Sequence, residues 1–77
     1  TMRQQEITSA AILSEVVRTV RKKQAGLRQR EAAFLCGVSP PFLNKLENHG
    51  EGCRFGMVLS VCQQLGIKVL VELPGED

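Results

Sequence analysis

Apolar residues recur at helical spacing through most of this chain and at alternate positions near its end. Leu13, Val16, Val17 and Val20 stand at i, i+3, i+4 and i+7, one face of an amphipathic helix. Thr8 or Ser9 can cap that helix, which should run to about Gln24, with the polar residues 1–7 before it frayed. Its far side is expected to end in Arg21-Lys22-Lys23, cations that also suit the last turn of a helix dipole. A shorter stripe, Ala32, Ala33 and Cys36, predicts a second helix from Gln29 to Cys36. Gly37 can end it in the left-handed region without steric cost. Ser39 is a good N-cap for a third helix, and Pro40 or Pro41 suits a first turn whose N–H groups lack partners anyway. There Leu43 and Leu46 face the core, while Phe42, Asn44 and Lys45 point elsewhere.

After a loop from His49 to Arg54, a further helix is expected over about Phe55 to Leu65. It would place Phe55, Val58, Leu59, Cys62 and Leu65 on one side, with Gly66 closing its end. Gly56 costs about 1 kcal/mol relative to alanine and softens the first turn. The period then changes from helical to alternating. Ile67, Val69, Val71 and Leu73 fall on one face of a strand, which Pro74-Gly75 stops before an acidic end. No other stretch reads as its partner strand. A lone apolar strand leaves its backbone groups unpaired, and the simplest solution is the same strand from a second subunit, antiparallel across a two-fold axis. A ribbon of two strands is marginal by itself, so it should also lie on helical surface.

Two short helices joined by a Gly-containing turn form a helix-turn-helix, whose second helix can enter the DNA major groove. Gly26-Leu27, Gln29, Ala33, Gly37-Val38-Ser39 and Leu46-Glu47-Asn48 resemble, in order and spacing, the phage-repressor or Xre type of helix-turn-helix domain. The departures are Arg28 for the usual Thr, Ala32 for Leu, Phe34-Leu35 for a polar pair, and His49 where Gly is common, with Gly50 one later. The domain followed directly by Gly66-Ile67-Lys68-Val69-Leu70-Val71-Glu72-Leu73 looks like the HipB-type antitoxins, whose dimer is closed by an intersubunit β-ribbon. That resemblance implies a repressor of its own operon that binds a HipA-type kinase toxin. A stand-alone Xre-family repressor without a toxin is the alternative.

Length and composition fit this picture. Seventy-seven residues make one small domain, and a core of that size favours oligomerisation. The expected architecture is mainly α: four or five helices over residues 1–66, with a C-terminal dimerisation strand and acidic tail over 67–77. Residues 1–50 hold eight basic and four acidic side chains, a net of +4, and residues 51–77 carry −2. The basic part is the part with the helix-turn-helix, as a nucleic-acid face requires, although a solvated helix surface carries such charge too. No apolar run approaches a membrane span, and the start has neither the basic stretch nor the apolar run of a secretory leader; Thr1 ahead of Met2 reads as a remnant. Three cysteines and one histidine, without C-x-x-C spacing, suit reduced thiols rather than a metal site or disulfides. Cys36 and Cys62 are expected in the core. The chain is expected to need no cofactor and to be cytoplasmic, at the bacterial nucleoid. One histidine, no paired carboxylates and no phosphate-binding glycine loop argue against an enzyme.

Carried over from the resemblance, the DNA contacts would be Arg28, Gln29 and Arg30 at the start of the second helix. Ser39, Pro40, Pro41, Asn44 and Lys45 would follow on the third, with Asn48 just past it. Asn44 and Lys45 have groups suited to adenine and guanine edges, and Asn48 is placed to donate to a phosphate. The prolines offer only apolar contact with a thymine methyl, so shape must supply part of the readout. Glu47 should be structural, holding a backbone group or a basic partner. Dimerisation would rest on Ile67, Val69, Val71 and Leu73. Phe34 and Leu35 have two readings, local packing against the first or third helix, or a partner surface.

Overall fold

Four helices and one widened turn organise residues 3–75, the part of the chain that the computed structural model describes. The expectations for residues 1–2 and for the acidic end at 76–77 lie outside the described residues. Helix α1 spans Ala10–Thr19, capped by Ser9, whose Oγ accepts from Ile12 N–H at 3.3 Å. The helix continues into a π-helical turn, Val20–Gln24, where Ala25 N–H reaches back to the Val20 carbonyl at 2.9 Å. Helix α2 spans Gln29–Cys36. Its start is tied by Glu31, whose carboxylate accepts from Arg28 N–H at 2.8 Å; Arg28, an obligate donor, returns no such bond.

Gly37 ends α2 at φ +73°, as its position predicts. Helix α3 then spans Pro40–Asn48, with Ser39 Oγ accepting from Phe42 N–H at 3.2 Å. The helix start therefore falls at Pro40, with both prolines in the first turn, where no N–H is needed. Helix α3 runs through Asn48, and Gly50 takes the left-handed position at φ +76°, its N–H on the Lys45 carbonyl at 3.1 Å. His49 thus stands in the usual glycine position because the turn-forming glycine has moved one residue on. Helix α4 spans Phe55–Gln64.

The core is built where these helices meet. Val17 of α1, Ala32, Ala33 and Cys36 of α2, Leu43 and Leu46 of α3, and Val58, Val61 and Cys62 of α4 are buried. The small side chains of α2 let α3 and α4 approach it closely, and Leu43 and Leu46 fill the space between α1 and α2. Each such leucine contributes up to about 1.5–3 kcal/mol by leaving water. On α4 the buried stripe differs from the expected one. Val61 is wholly buried and Phe55 is 68% exposed, because α4 turns toward α2 the side that holds Val58, Val61 and Cys62. Phe42, expected to point away from the core, is half-buried against it.

Among the described residues there is no strand. Ile67 N–H closes the end of α4 on the Cys62 carbonyl at 2.8 Å, and its side chain packs partly on the core. Beyond it Val69, Leu70, Val71 and Leu73 are half or more exposed. No described segment lies beside it as a ladder partner, and the expected strand does not form.

Candidate nucleic-acid interface

The turn between α2 and α3 is held by Gly37 in the left-handed conformation and by the Ser39 cap, with Ala33 of α2 and Leu43 of α3 both in the core. This leaves one end of α2 and one face of α3 side by side at the surface. Gln29, the first residue of α2, reaches α3 there: its amide nitrogen Nε2 lies 3.1 Å from Glu47 Oε1 and 3.4 Å from Asn44 Oδ1. Asn48 Nδ2 donates to the Asn44 carbonyl at 2.7 Å and to Asn44 Oδ1 at 2.9 Å. Three of the expected contact residues, Gln29, Asn44 and Asn48, therefore form one hydrogen-bonded group.

Below them lies a charged anchor. Glu47 is buried, and its two oxygens accept from Arg21 Nε at 2.5 Å and Arg21 Nη2 at 2.8 Å. The remaining arm, Arg21 Nη1, donates to the Leu27 carbonyl at 2.9 Å. Arg21 is itself buried, which corrects the expectation that Arg21-Lys22-Lys23 form one solvent-facing cluster; Lys22 and Lys23 alone are exposed. The signal for this was in the phase of α1. Arg21 follows Val17 by four residues and Leu13 by eight, on the core stripe rather than opposite it. Glu47 has the structural role expected of it, and its basic partner is Arg21.

The other expected contacts surround this group. Arg28, Arg30, Ser39, Pro40 and Pro41 are exposed. Ser39 Oγ is committed as an acceptor to its cap and keeps its hydroxyl hydrogen for another acceptor. Lys45 is exposed and its ammonium lies over the loop after α3, close to Gly52. The amide hydrogens of Asn48 are both used within α3, so its donation to a phosphate would require breaking one of those bonds. Phe34 is 90% exposed, which excludes the local-packing reading for it, and Leu35 is 52% exposed. No group of three or more metal-ligating side chains occurs among the described residues. No described helix is long and apolar enough to cross a membrane.

The geometry has counterparts. A helix-turn-helix family model matches residues 17–69, a span that begins at the core residue Val17 and includes all four helices' core positions. An uncharacterised HTH-type transcriptional regulator of Sinorhizobium fredii, y4mF, is 40% identical over 70 residues, 91% of each chain. Among solved structures, a chain of a HipA-HipB-O2-O3 complex superposes with a TM-score of 0.81 at 21% identity, covering 94% of this chain and 100% of that one. A HipB variant in complex with an O2 20mer gives a TM-score of 0.81 at 20% identity, covering 95% and 100%. At that identity the likeness is one of fold.

Proposed function

The chain belongs to the helix-turn-helix family, of the Xre type, and from that premise we propose that it is a sequence-specific, operator-binding transcriptional repressor that works as a two-fold dimer. The observation that carries this reading is the polar group at the α2–α3 junction. Gln29, Asn44 and Asn48 are bonded to one another at the surface and anchored from beneath by the Glu47–Arg21 pair. Base readout needs side chains held in place before DNA arrives, and these are held. Arg28, Arg30, Lys45 and the Lys22-Lys23 pair would neutralise phosphates around them.

Within that reading the chain is the antitoxin of a HipA/HipB-type pair, binding a HipA-type kinase and repressing its own operon. The support is the fold it has in common with chains from HipB complexes and a C-terminal segment too apolar to remain exposed. Residues 67–73 of two subunits would pair as antiparallel strands, covering Val69, Val71 and Leu73 together with the shallow groove lined by Leu59 of α4 and by Ile67 beyond its end. A stand-alone repressor is favoured instead by the description of the y4mF relative, which is that of a transcriptional regulator.

The test is to purify the chain from its native host and footprint it on the DNA upstream of its own gene. A protected, two-fold symmetric site is expected, together with a kinase-sized chain that co-purifies. A protected site without that companion supports the stand-alone repressor. Absence of any protected sequence refutes both.

A further inference from the structure

Gln29, Asn44 and Asn48 are amides, and an amide can present either its oxygen or its nitrogen outward. Here the choice is dictated from the core. Arg21 can only donate, so both Glu47 oxygens accept. Glu47 in turn can only accept, so Gln29 must turn its nitrogen toward it. On the other side, the Asn44 backbone carbonyl can only accept, so Asn48 must turn its nitrogen toward α3. Both nitrogens converge on one atom of the Asn44 side chain, at 3.4 and 2.9 Å, and an atom facing two donors must be the oxygen. Asn44 Nδ2, with two hydrogens and no partner among the described residues, is what remains to face outward.

We propose that Asn44 reads the major groove as a donor only, selecting a keto base, guanine or thymine, at its position in each half-site. This rests on the operator-binding reading above and adds the class of base. The bidentate pairing of asparagine with adenine needs both an acceptor and a donor, and here the acceptor is already taken twice. Guanine O6 and N7 or thymine O4 accept from Asn44 Nδ2; cytosine N4 presents only hydrogens to it, and adenine offers a single acceptor, N7, beside an N6 whose hydrogens face those of Nδ2, which makes it the poorer purine. Asn48 and Gln29 are positioning residues in this scheme, and Glu47 fixes Gln29.

The experiment is selection of duplexes from a randomised library by the full chain and by two variants. Asn44→Asp keeps an oxygen where Gln29 and Asn48 donate but turns an acceptor outward. It should move one position per half-site from guanine or thymine to cytosine or adenine, by on the order of tenfold, and leave the other positions unchanged. Asn48→Ala removes one of the two donors that orient Asn44, and should admit adenine at that same position; a merely structural role would weaken all sequences alike. A wild-type chain that selects adenine or cytosine there overturns the inference, as does a choice unmoved by Asn44→Asp. Those results leave operator binding intact. A wild-type chain that selects no sequence overturns operator binding itself, and this inference with it.

Discussion

Arg21 and Glu47 meet through two hydrogen bonds across the domain, with side-chain exposures of 10% and 1%. They join the wide turn after α1 to the last turn of α3. Removing one member of such a pair leaves an uncompensated buried charge, which costs roughly 3–5 kcal/mol, while replacing both with apolar groups of similar volume is close to neutral. Glu47→Ala should therefore lower the denaturation midpoint sharply. A double variant, Arg21→Met with Glu47→Leu, should recover most of that loss in chemical denaturation. Equal damage from the single and the double variant would mean that the pair's value lies in its specific geometry.

Two left-handed glycines should respond differently to alanine. A Cβ at Gly37 meets nothing within 4 Å, so Gly37→Ala should cost only the backbone term of roughly 1–2 kcal/mol. At Gly50 the new atom would lie 2.8 Å from the Ala10 carbonyl and crowd Ser14 Oγ, which is already bonded to that carbonyl. Gly50→Ala should cost clearly more, because the close approach of the α3 exit to α1 must open. Thermal melts of the two variants side by side check this.

Much of this was readable in the residues, and the parts that were not have a common cause. The bounds of α2 and α3 follow from Gly37, Ser39 and two prolines, signals that act over three or four residues. The buried stripe of α4 does not, because which side of a helix is buried depends on where its neighbour sits. Phe55 and Val61 exchanged places for that reason. The place of Arg21 is masked by its company: two lysines follow it, and the charge of the run hides the phase of the helix. Gln29, Asn44 and Asn48 could each be named from the sequence as expected contacts, but their bonding to one another depends on a pair 26 residues apart. At residues 67–73 the sequence offers only apolar alternation without a partner strand, and among the described residues no strand forms there.

Operator affinity should fall steeply with salt. If a dimer neutralises roughly six to ten phosphates through Arg28, Arg30, Lys45, Lys22 and Lys23, log K against log[salt] should have a slope of about −5 to −9. Gel-shift titrations at several ionic strengths measure it, and a slope near zero sinks the phosphate assignments. Lys45→Ala separates two roles for that side chain: a loss confined to one base position marks a guanine contact, of roughly 1–3 kcal/mol, and a uniform loss marks a phosphate.

Deleting residues 67–77 should give a monomer, and so should Val69→Asp with Val71→Asp, which would set four carboxylates into the ribbon. Specific affinity should then drop toward the non-specific range, about 10⁻⁴–10⁻⁶ M, since one α3 spans too few base pairs. Sedimentation of both variants is the measurement. A stable dimer without the tail would move the interface to the helices.

Burial pushes the Cys36 and Cys62 thiols above their ordinary value, Cys62 further through its proximity to Cys36. The folded chain then keeps protons that the unfolded chain releases once pH exceeds the ordinary thiol value of about 8.5. This contribution to stability is whole at neutral pH and is lost progressively as pH rises beyond that value. Melting temperatures taken from pH 7 to 10 should decline, and a Cys36→Ala, Cys62→Ala variant should decline less. Alkylation of the native chain should label the half-exposed Cys53 before either of the other two.

The wide turn at Val20–Gln24 sets how freely this chain can change length over generations. A π-turn holds one residue more than the α-helix would at the same place, so deleting a residue here would leave a continuous, well-bonded helix. A loss that falls before Arg21, at Val20, would nonetheless turn that side chain by roughly 100° about the axis relative to Val17, and the guanidinium now beneath α3 would swing toward water, with a lysine turned inward in its place. Drift in length at this point is therefore cheap for the backbone and ruinous for the surface that depends on Glu47. Single-residue gaps should fall in the loop from His49 to Arg54, and the spacing from Val17 to Arg21 should be inherited intact.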